Sequence, residues 1–528
     1  MKKYTIIGCG IAGTTAAYYL LKKGYEVELI DLGSKEEFRM PSGTTFENSR
    51  QNLMTSFPIV HGVDFENFDD NPKELFEIPK IRNIISRQSI YNNVNAPDLE
   101  ITYGNGVGGL GVAWGANLAT FDKQELAEYP FQFDEIKPHY ISALKLMGLD
   151  LNWGVNGDKY PCVDPTMPKV NLPPLEKQEQ LLLQDMVFYN NEKLTSGYSA
   201  LAIRYLNGKE KNCKSCGLCA WGCPENAIFS PVEVFQKCME LENFKYYEMA
   251  VDHFNFTGRK IVSVTGKSAN KTICLEVDNL ILAAGAINSG IIFLSSILKE
   301  SKRCDKIKSL SFLDTKCVKI PFVHLRSLKM KLDPHSIQFN RLSTVIRFGK
   351  KIPRSIQVET LKLKALVYYR LINKIFWSKK ISLMILRKFS GSLFVSTIFF
   401  PDQPSKNNYI EVRYDADGKR IIKINYKNNW KKIFYSRRLI LTLQILLMKC
   451  KCLVIPGYYF KYKNGSGIHY AGTIPFRKTV TSKAVDWNCK SYDFDNLHVV
   501  DASTFPTLPS KSLTLTIMAN SIRVCSKL

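Results

Sequence analysis

At 528 residues the chain is too long for one compact core and predicts two or more subdomains. Its 45% apolar content excludes a disordered chain, and no apolar run approaches the ~18 residues needed to cross a bilayer as a helix. The net charge of +24 is concentrated: residues 301–467 hold 36 Lys/Arg against 8 Asp/Glu, a net of +28, which leaves −4 for the rest.

The chain opens on an apolar run at residues 4–7, which predicts a short buried strand. Gly8, Gly10 and Gly13 follow, then a helical run to Leu21 and a second strand at residues 25–31, ending in Asp31. Gly8 permits the strand-to-helix turn, Gly10 lets a pyrophosphate approach the backbone, and Gly13 lets the helix pack closely on the strand. Ile11 and Ala12 then place free N–H groups at the positive end of the helix. Asp31 stands where a carboxylate accepts from a ribose hydroxyl. Lys2 and Lys3 before an apolar stretch resemble a signal peptide, and residues 6–9 a lipoprotein cleavage site. The run before Cys9 is shorter than the ~7 residues of a signal core, so a cytoplasmic protein is expected. Its 14 cysteines are then expected as thiols or metal ligands.

Residues 35–100 are polar and irregular. A glycine-rich run at 103–115, with Gly108, Gly109 and Trp114, fits neither a helix nor a strand interior and suggests a loop against a flavin. A helix is predicted up to residue 146, then a proline-rich connector at 158–174. A hairpin is predicted around Thr257-Gly258, continued by 273–277. A buried strand at 278–286 and a helix at 289–299 form a second strand–turn–helix unit. Strands follow at 392–400, 409–414 and 421–426, with a helix at 430–449. The last strand, 496–503, carries Asp501 and Ala502, and a helix at 515–524 closes the chain.

Within the basic part, Leu366, Tyr369, Ile372 and Phe376 fall on one helical side among Lys and Arg residues. Two readings stay open: an interfacial helix on anionic lipid, or a core-facing helix with snorkelling lysines. An anionic partner is the expectation for the segment as a whole, a phosphorylated or lipid-linked substrate or a membrane surface. No nucleic-acid-binding pattern accompanies it.

The opening strand–glycine–helix unit, the glycine loop with Trp114, Ala283-Ala284-Gly285-Ala286, residues 469–473 and the closing residues 501–507 resemble the glucose–methanol–choline (GMC) oxidoreductases, in the same order. The resemblance reaches both ends and covers about half of the chain, but little of 301–465. It implies an α/β, doubly wound FAD-binding domain that is discontinuous in sequence (1–125, 205–300 and 465–528, with a cysteine-rich loop at 213–224). A connector at 126–204 and a basic, β-sheet-containing substrate domain at 301–464 complete the division. The C-terminal strand is expected beside the N-terminal one, with Ala284, Gly285, Asp501 and Ala502 at the cofactor.

The resemblance also implies oxidation of an alcohol or sugar hydroxyl, with hydride transfer to FAD and His469 as the base. Where the family usually has His or Asn, this chain has Ser512, a substrate orienter that cannot act as a cation. Where some members attach flavin through a His, this chain has Ala113, so non-covalent FAD is expected. A dehydrogenase is favoured over an oxidase, with an electron acceptor not named by the sequence. A redox-neutral sugar isomerase or mutase and a non-catalytic electron carrier remain as alternatives.

Cys213, Cys216, Cys219 and Cys223, followed by Pro224, have the spacing of a bacterial ferredoxin segment. A similar run occurs in some branches of the family. A [4Fe–4S] cluster, zinc and structural thiols stay open, because a single run does not by itself complete one cluster.

Overall fold

The computed structural model describes residues 1–34, 41–45, 48, 84–86, 89, 91–152, 160–205, 212–269, 271–300, 308–331, 333, 335–347, 355–362, 378, 380–381, 384, 388–428 and 430–528. The chain runs from β1 (Lys3–Ile7) through α1 (Ile11–Lys22) to β2 (Glu26–Asp31). Next come α2 (Phe133–Leu146), α3 (Lys177–Val187), β3 (Leu194–Tyr198), α4 (Pro231–Met239) and β4 (Phe244–Glu248). A meander follows, β5 (Ala250–Thr257), β6 (Lys260–Ser268) and β7 (Lys271–Glu276), then β8 (Asn279–Leu282) and α5 (Ala286–Glu300). The basic part holds β9 (Cys317–His324), β10 (Leu342–Arg347), β11 (Ser355–Lys362), β12 (Leu393–Phe399), β13 (Tyr409–Tyr414), β14 (Arg420–Asn425) and α6 (Trp430–Lys449). The chain closes on β15 (Leu497–Val499) and α7 (Thr514–Lys527).

Two sheets position the site. The first is parallel, in the order β4-β2-β1-β8-β15. Its central strands are buried apolar runs because helices cover them, as parallel sheets require. Thr14, Ala16 and Ala17 keep α1 slim against them, and the Ser521 hydroxyl of α7 donates to the Ala12 carbonyl at 3.0 Å. The C-terminal strand was expected beside the N-terminal one. It lies one place further out, because β8 takes the position next to β1 and pairs β15 on its other edge.

The second sheet is antiparallel. It runs from the short strand Cys452–Leu453 through β9, β12, β11 and β10 to β3. One face carries Val318, Ile320, Phe322, Ile356, Val358, Phe394 and Ile398. These pack under Leu182, Leu183 and Met186 of α3 and Leu439, Ile440, Leu443 and Leu447 of α6. The other face is polar. Strand register sets Ser343, Glu359, Thr397 and Lys319 in one row across four strands. Successive residues of a strand point to opposite faces, so Ile356 and Val358 serve the core while Gln357 and Glu359 face away from it.

Three strands expected in the basic part are present, as are the helix Trp430–Lys449 and the hairpin around Thr257-Gly258. β3, within the stretch read as a connector, is an edge strand of the second sheet. The amphipathic pattern at 366–376 lies outside the described residues. Leu361 and Lys362, read with it, end β11 instead, where the buried Lys362 ammonium pairs with Glu176. No helix among the described residues is long and apolar enough to cross a membrane.

Candidate active site

A cleft of about 440 Å³ opens at the carboxyl ends of β1, β2 and β8, where ligands bind in open α/β sheets. Residues of the second sheet form its opposite wall.

The first wall is built from backbone. Gly8 has a φ of +108°, and a Cβ there would meet the Ala283 carbonyl oxygen at 2.5 Å. A Cβ on Gly13 would lie 1.8 Å from the Gly8 oxygen. A Cβ on Gly10 would meet nothing within 4 Å, because that side is open. α1 starts at Gly10 with no side-chain cap, so its first N–H groups are left for a ligand. Ile11 and Ala12 line the cleft beside it. This cradle fits the pyrophosphate of a dinucleotide, the group the resemblance implies.

Asp31 lines the cleft and also braces the turn. Its carboxylate accepts from the Cys9 N–H at 3.0 Å and from the Gly33 N–H at 3.4 Å. Burial raises its pKa, and these N–H groups offset part of that rise. The glycine loop docks onto the same turn, with the Gly108 N–H donating to the Cys9 carbonyl at 2.8 Å. A Cβ on Gly108 would strike Val112 at 2.4 Å, so its lack of a side chain serves packing. Gly109 and the half-buried Trp114 line the cleft, and the Trp114 indole donates to the Phe229 carbonyl at 2.9 Å.

Ala284, Gly285, Asp501 and Ala502 line the cleft as well. Asp501 also works inside the protein. It accepts from the Gly285 N–H at 2.8 Å, the Ser289 hydroxyl at 2.6 Å and the Ser503 N–H at 2.8 Å. It thereby ties the end of β15 to the turn after β8.

The second wall is built from side chains that sequence reasoning missed. Glu359 of β11 is buried at the cleft. It accepts from the Asn117 and Asn340 amides at 2.5 Å each and from the Gln357 amide at 3.0 Å. Burial pushes its pKa up to about 7 against the pull of Asn340, Lys319 and Asn117. Lys319, in the same row, is pushed down to about 8 by burial. The alternation of residues 356–359, Ile-Gln-Val-Glu, was the signal for this strand and for which side chains leave the core.

His469 stands between the walls, half-buried and lining the cleft. Its ring tilts against Phe399 of β12 with centroids 5.3 Å apart. Its Nδ1 has no hydrogen-bond partner among the described residues. The loss of water pushes its pKa down to about 4, so the ring is a neutral imidazole. Ser512 also lines the cleft, at the N-terminal end of α7. Lys511 fixes this end by donating to Glu125 at 2.7 Å and to the Thr120 carbonyl at 3.1 Å. Ser510 accepts from the Gln357 N–H at 2.9 Å and donates to the Ser355 carbonyl at 3.0 Å. One short loop therefore joins α7 to the strand that carries Glu359.

Residues 404–521, which hold His469, Asp501 and Ser512, match the family model for GMC oxidoreductases. The crystal structure of pyridoxine 4-oxidase from Mesorbium loti has a similar fold, with a TM-score of 0.61 at 13% identity. The match covers 100% of this chain and 99% of that one. No curated protein matches this sequence.

The thiols of the cysteine run lie near one another, and Cys219 interacts electrostatically with Cys213, Cys223 and Cys216. Among the described residues no three His, Cys, Asp or Glu side chains gather as metal ligands. Cys219 accepts from the Gln338 N–H at 3.4 Å and Cys223 from the Ala227 N–H at 3.3 Å. Burial pushes the Cys216 thiol up to about 11. Cys219 thus braces the segment that leads through Asn340 into β10.

Proposed function

We propose that the protein is an FAD-dependent oxidoreductase acting on the CH–OH group of a small alcohol. The observation that carries this reading is the meeting, in one cleft, of an uncapped glycine turn and a neutral imidazole whose Nδ1 has no partner among the described residues. Gly8, Gly10, Ile11, Ala12 and Gly13 would hold the pyrophosphate, Asp31 the ribose, and Trp114, Ala284, Gly285 and Ala502 the rest of the cofactor. FAD, when bound, supplies the acceptor for the carbinol hydride.

His469 takes the hydroxyl proton. A pKa of about 4 keeps the ring unprotonated and ready to accept at any working pH. The same low value makes the protonated ring costly, so the proton moves onto it as the C–H bond breaks rather than before. Ser512 orients the alcohol oxygen through its hydroxyl. Phe399 fixes the tilt of the His469 ring and keeps water from it.

The test is anaerobic bleaching of the purified yellow protein by a panel of alcohols. Bleaching that disappears in His469→Ala supports the reading, and a protein that carries no flavin refutes it. Reoxidation of the bleached protein by air marks an oxidase, and reoxidation only by an added mediator marks a dehydrogenase. Acid denaturation that leaves flavin on the chain would refute non-covalent attachment.

A further inference from the structure

The chain has a net charge of +24, yet no Lys or Arg lines the cleft among the described residues, while Asp31, Asp501 and Glu359 do. Asp31 and Asp501 sit on the nucleotide wall and brace its turns. Glu359 faces them from the other sheet. We propose that Glu359 is the specificity-determining residue of the substrate site, and that it selects alcohols carrying a protonated nitrogen. This rests on the reading of the cleft as an alcohol-oxidising site.

The geometry argues for a carboxylate held ready for a ligand. Three amide groups, from Asn117, Asn340 and Gln357, point N–H donors at it. A carboxylate offers about four acceptor positions, so one remains after three amides. Donors on three sides fix its position and favour its ionised form. Buried carboxylates with no Lys or Arg in the cleft lining disfavour an anionic substrate, because its carboxylate or phosphate would be desolvated beside like charge. Lys319 lies in the same row and faces Glu359 across Thr397, and its ammonium sits over the Tyr462 ring with the centroid 5.1 Å away. The nearby Cys162 thiol is buried and its pKa is raised to about 12, so it adds no charge. An amine bound at Glu359 stabilises the ionised carboxyl. Binding therefore tightens as pH rises through about 7 and weakens below it. The basic composition of residues 301–467 is then a separate property of the chain, and phosphorylated substrates are disfavoured on the Glu359 side of this cleft.

The experiment uses the flavin-loaded protein. Binding of benzylamine, benzyl methyl ether and benzoate is read from the shift of the flavin spectrum, with no turnover needed. In parallel, kcat/KM is measured for para-(aminomethyl)benzyl alcohol, para-xylylene glycol and para-(hydroxymethyl)benzoate. The expected result is benzylamine binding at least about tenfold tighter than benzoate, with the same order in kcat/KM, carried by KM. In Glu359→Gln the amine preference falls to about threefold or less. Equal binding of benzylamine and benzoate by the native protein overturns the proposal, as does an unchanged preference in Glu359→Gln. The first arm needs no variant, so it decides even if Glu359→Gln does not fold. If benzylamine is preferred but no alcohol bleaches the flavin, the ligand site stands and the alcohol reading fails.

Discussion

The two walls of the cleft are made by different rules. The nucleotide wall is local: β1, Gly8, Gly10, Gly13, α1 and Asp31 fall within one stretch of 31 residues. Its shape is set by where side chains are missing. The substrate wall is assembled by strand register, and Asn117 and Glu359 meet although 242 positions apart in sequence. Its chemistry is set by which side chains are present. A wall of backbone admits one kind of ligand and tolerates little change. A wall of side chains on a rigid sheet can change its ligand while the fold stays, as fits the proposal of a cofactor site beside a substrate site.

The sharpest break would come from the first wall. Gly13→Val puts a side chain where a single Cβ already lies 1.8 Å from the Gly8 oxygen. Overpacking of this kind costs about 3 kcal/mol or more, because backbone must move. The expected outcome is protein without flavin and with a much lower unfolding temperature. Gly10→Ala separates the two effects, since nothing lies within 4 Å of its Cβ. It should fold with an unchanged melting temperature yet hold flavin poorly, as measured by absorbance after gel filtration. If Gly10→Ala keeps its flavin, backbone approach at this turn is not what binds the cofactor.

The next effect is chemical. His469→Ala should slow flavin reduction by about 10²- to 10⁴-fold, the usual contribution of a general base. Because burial holds His469 down at about 4, the native rate should stay flat between about pH 5 and 8 and fall only below that. A limb near the ordinary imidazole value in the stopped-flow rate would place the proton elsewhere.

These rules also explain what the sequence disclosed. The nucleotide turn was legible because strand, glycines, helix and acid follow one another, so local sterics suffice to read them. His469 and Ser512, which both line the cleft, were named only through the family resemblance, since a histidine in a loop carries no local pattern. Glu359 was not read at all. Its strand alternates cleanly, but the partners that make it matter, Asn117, Asn340 and Gln357, come from separate segments. The cysteine run is the reverse case: its spacing is strong and local, and in the fold two of its sulfurs accept backbone N–H groups.

Stability against pH should show the contrast between His469 and Glu359 directly. Glu359 has a folded pKa of about 7, above its ordinary 4.5. The folded state binds that proton more readily, so its contribution is full below 4.5 and lost as pH rises through 7, by up to about 3 kcal/mol. His469 has a folded pKa of about 4, below its ordinary 6.5. The unfolded state binds that proton more readily, so stability is lost as pH falls from 6.5 toward 4, again by up to about 3 kcal/mol. Denaturant titrations should therefore find that Glu359→Gln loses part of the alkaline decline and His469→Ala part of the acid decline. If the two variants shift the same limb, the opposed settings of the two residues are wrong.

The smallest effect concerns Ser512, where the walls touch. Its neighbours are both pinned, Ser510 to β11 and Lys511 to Glu125, so the Ser512 hydroxyl is held in place without being part of either brace. Ser512→Ala should therefore leave the melting temperature unchanged. One neutral hydrogen bond contributes about 1 kcal/mol, so kcat/KM for the best alcohol should fall about fivefold. Ser510→Ala should do more although it does not line the cleft, because it frees the strand that carries Glu359 and so raises KM for amines. A loss beyond about a hundredfold in Ser512→Ala would put that hydroxyl in the proton transfer with His469, and the division between a binding wall and a reacting wall would then run through α7 rather than between the sheets.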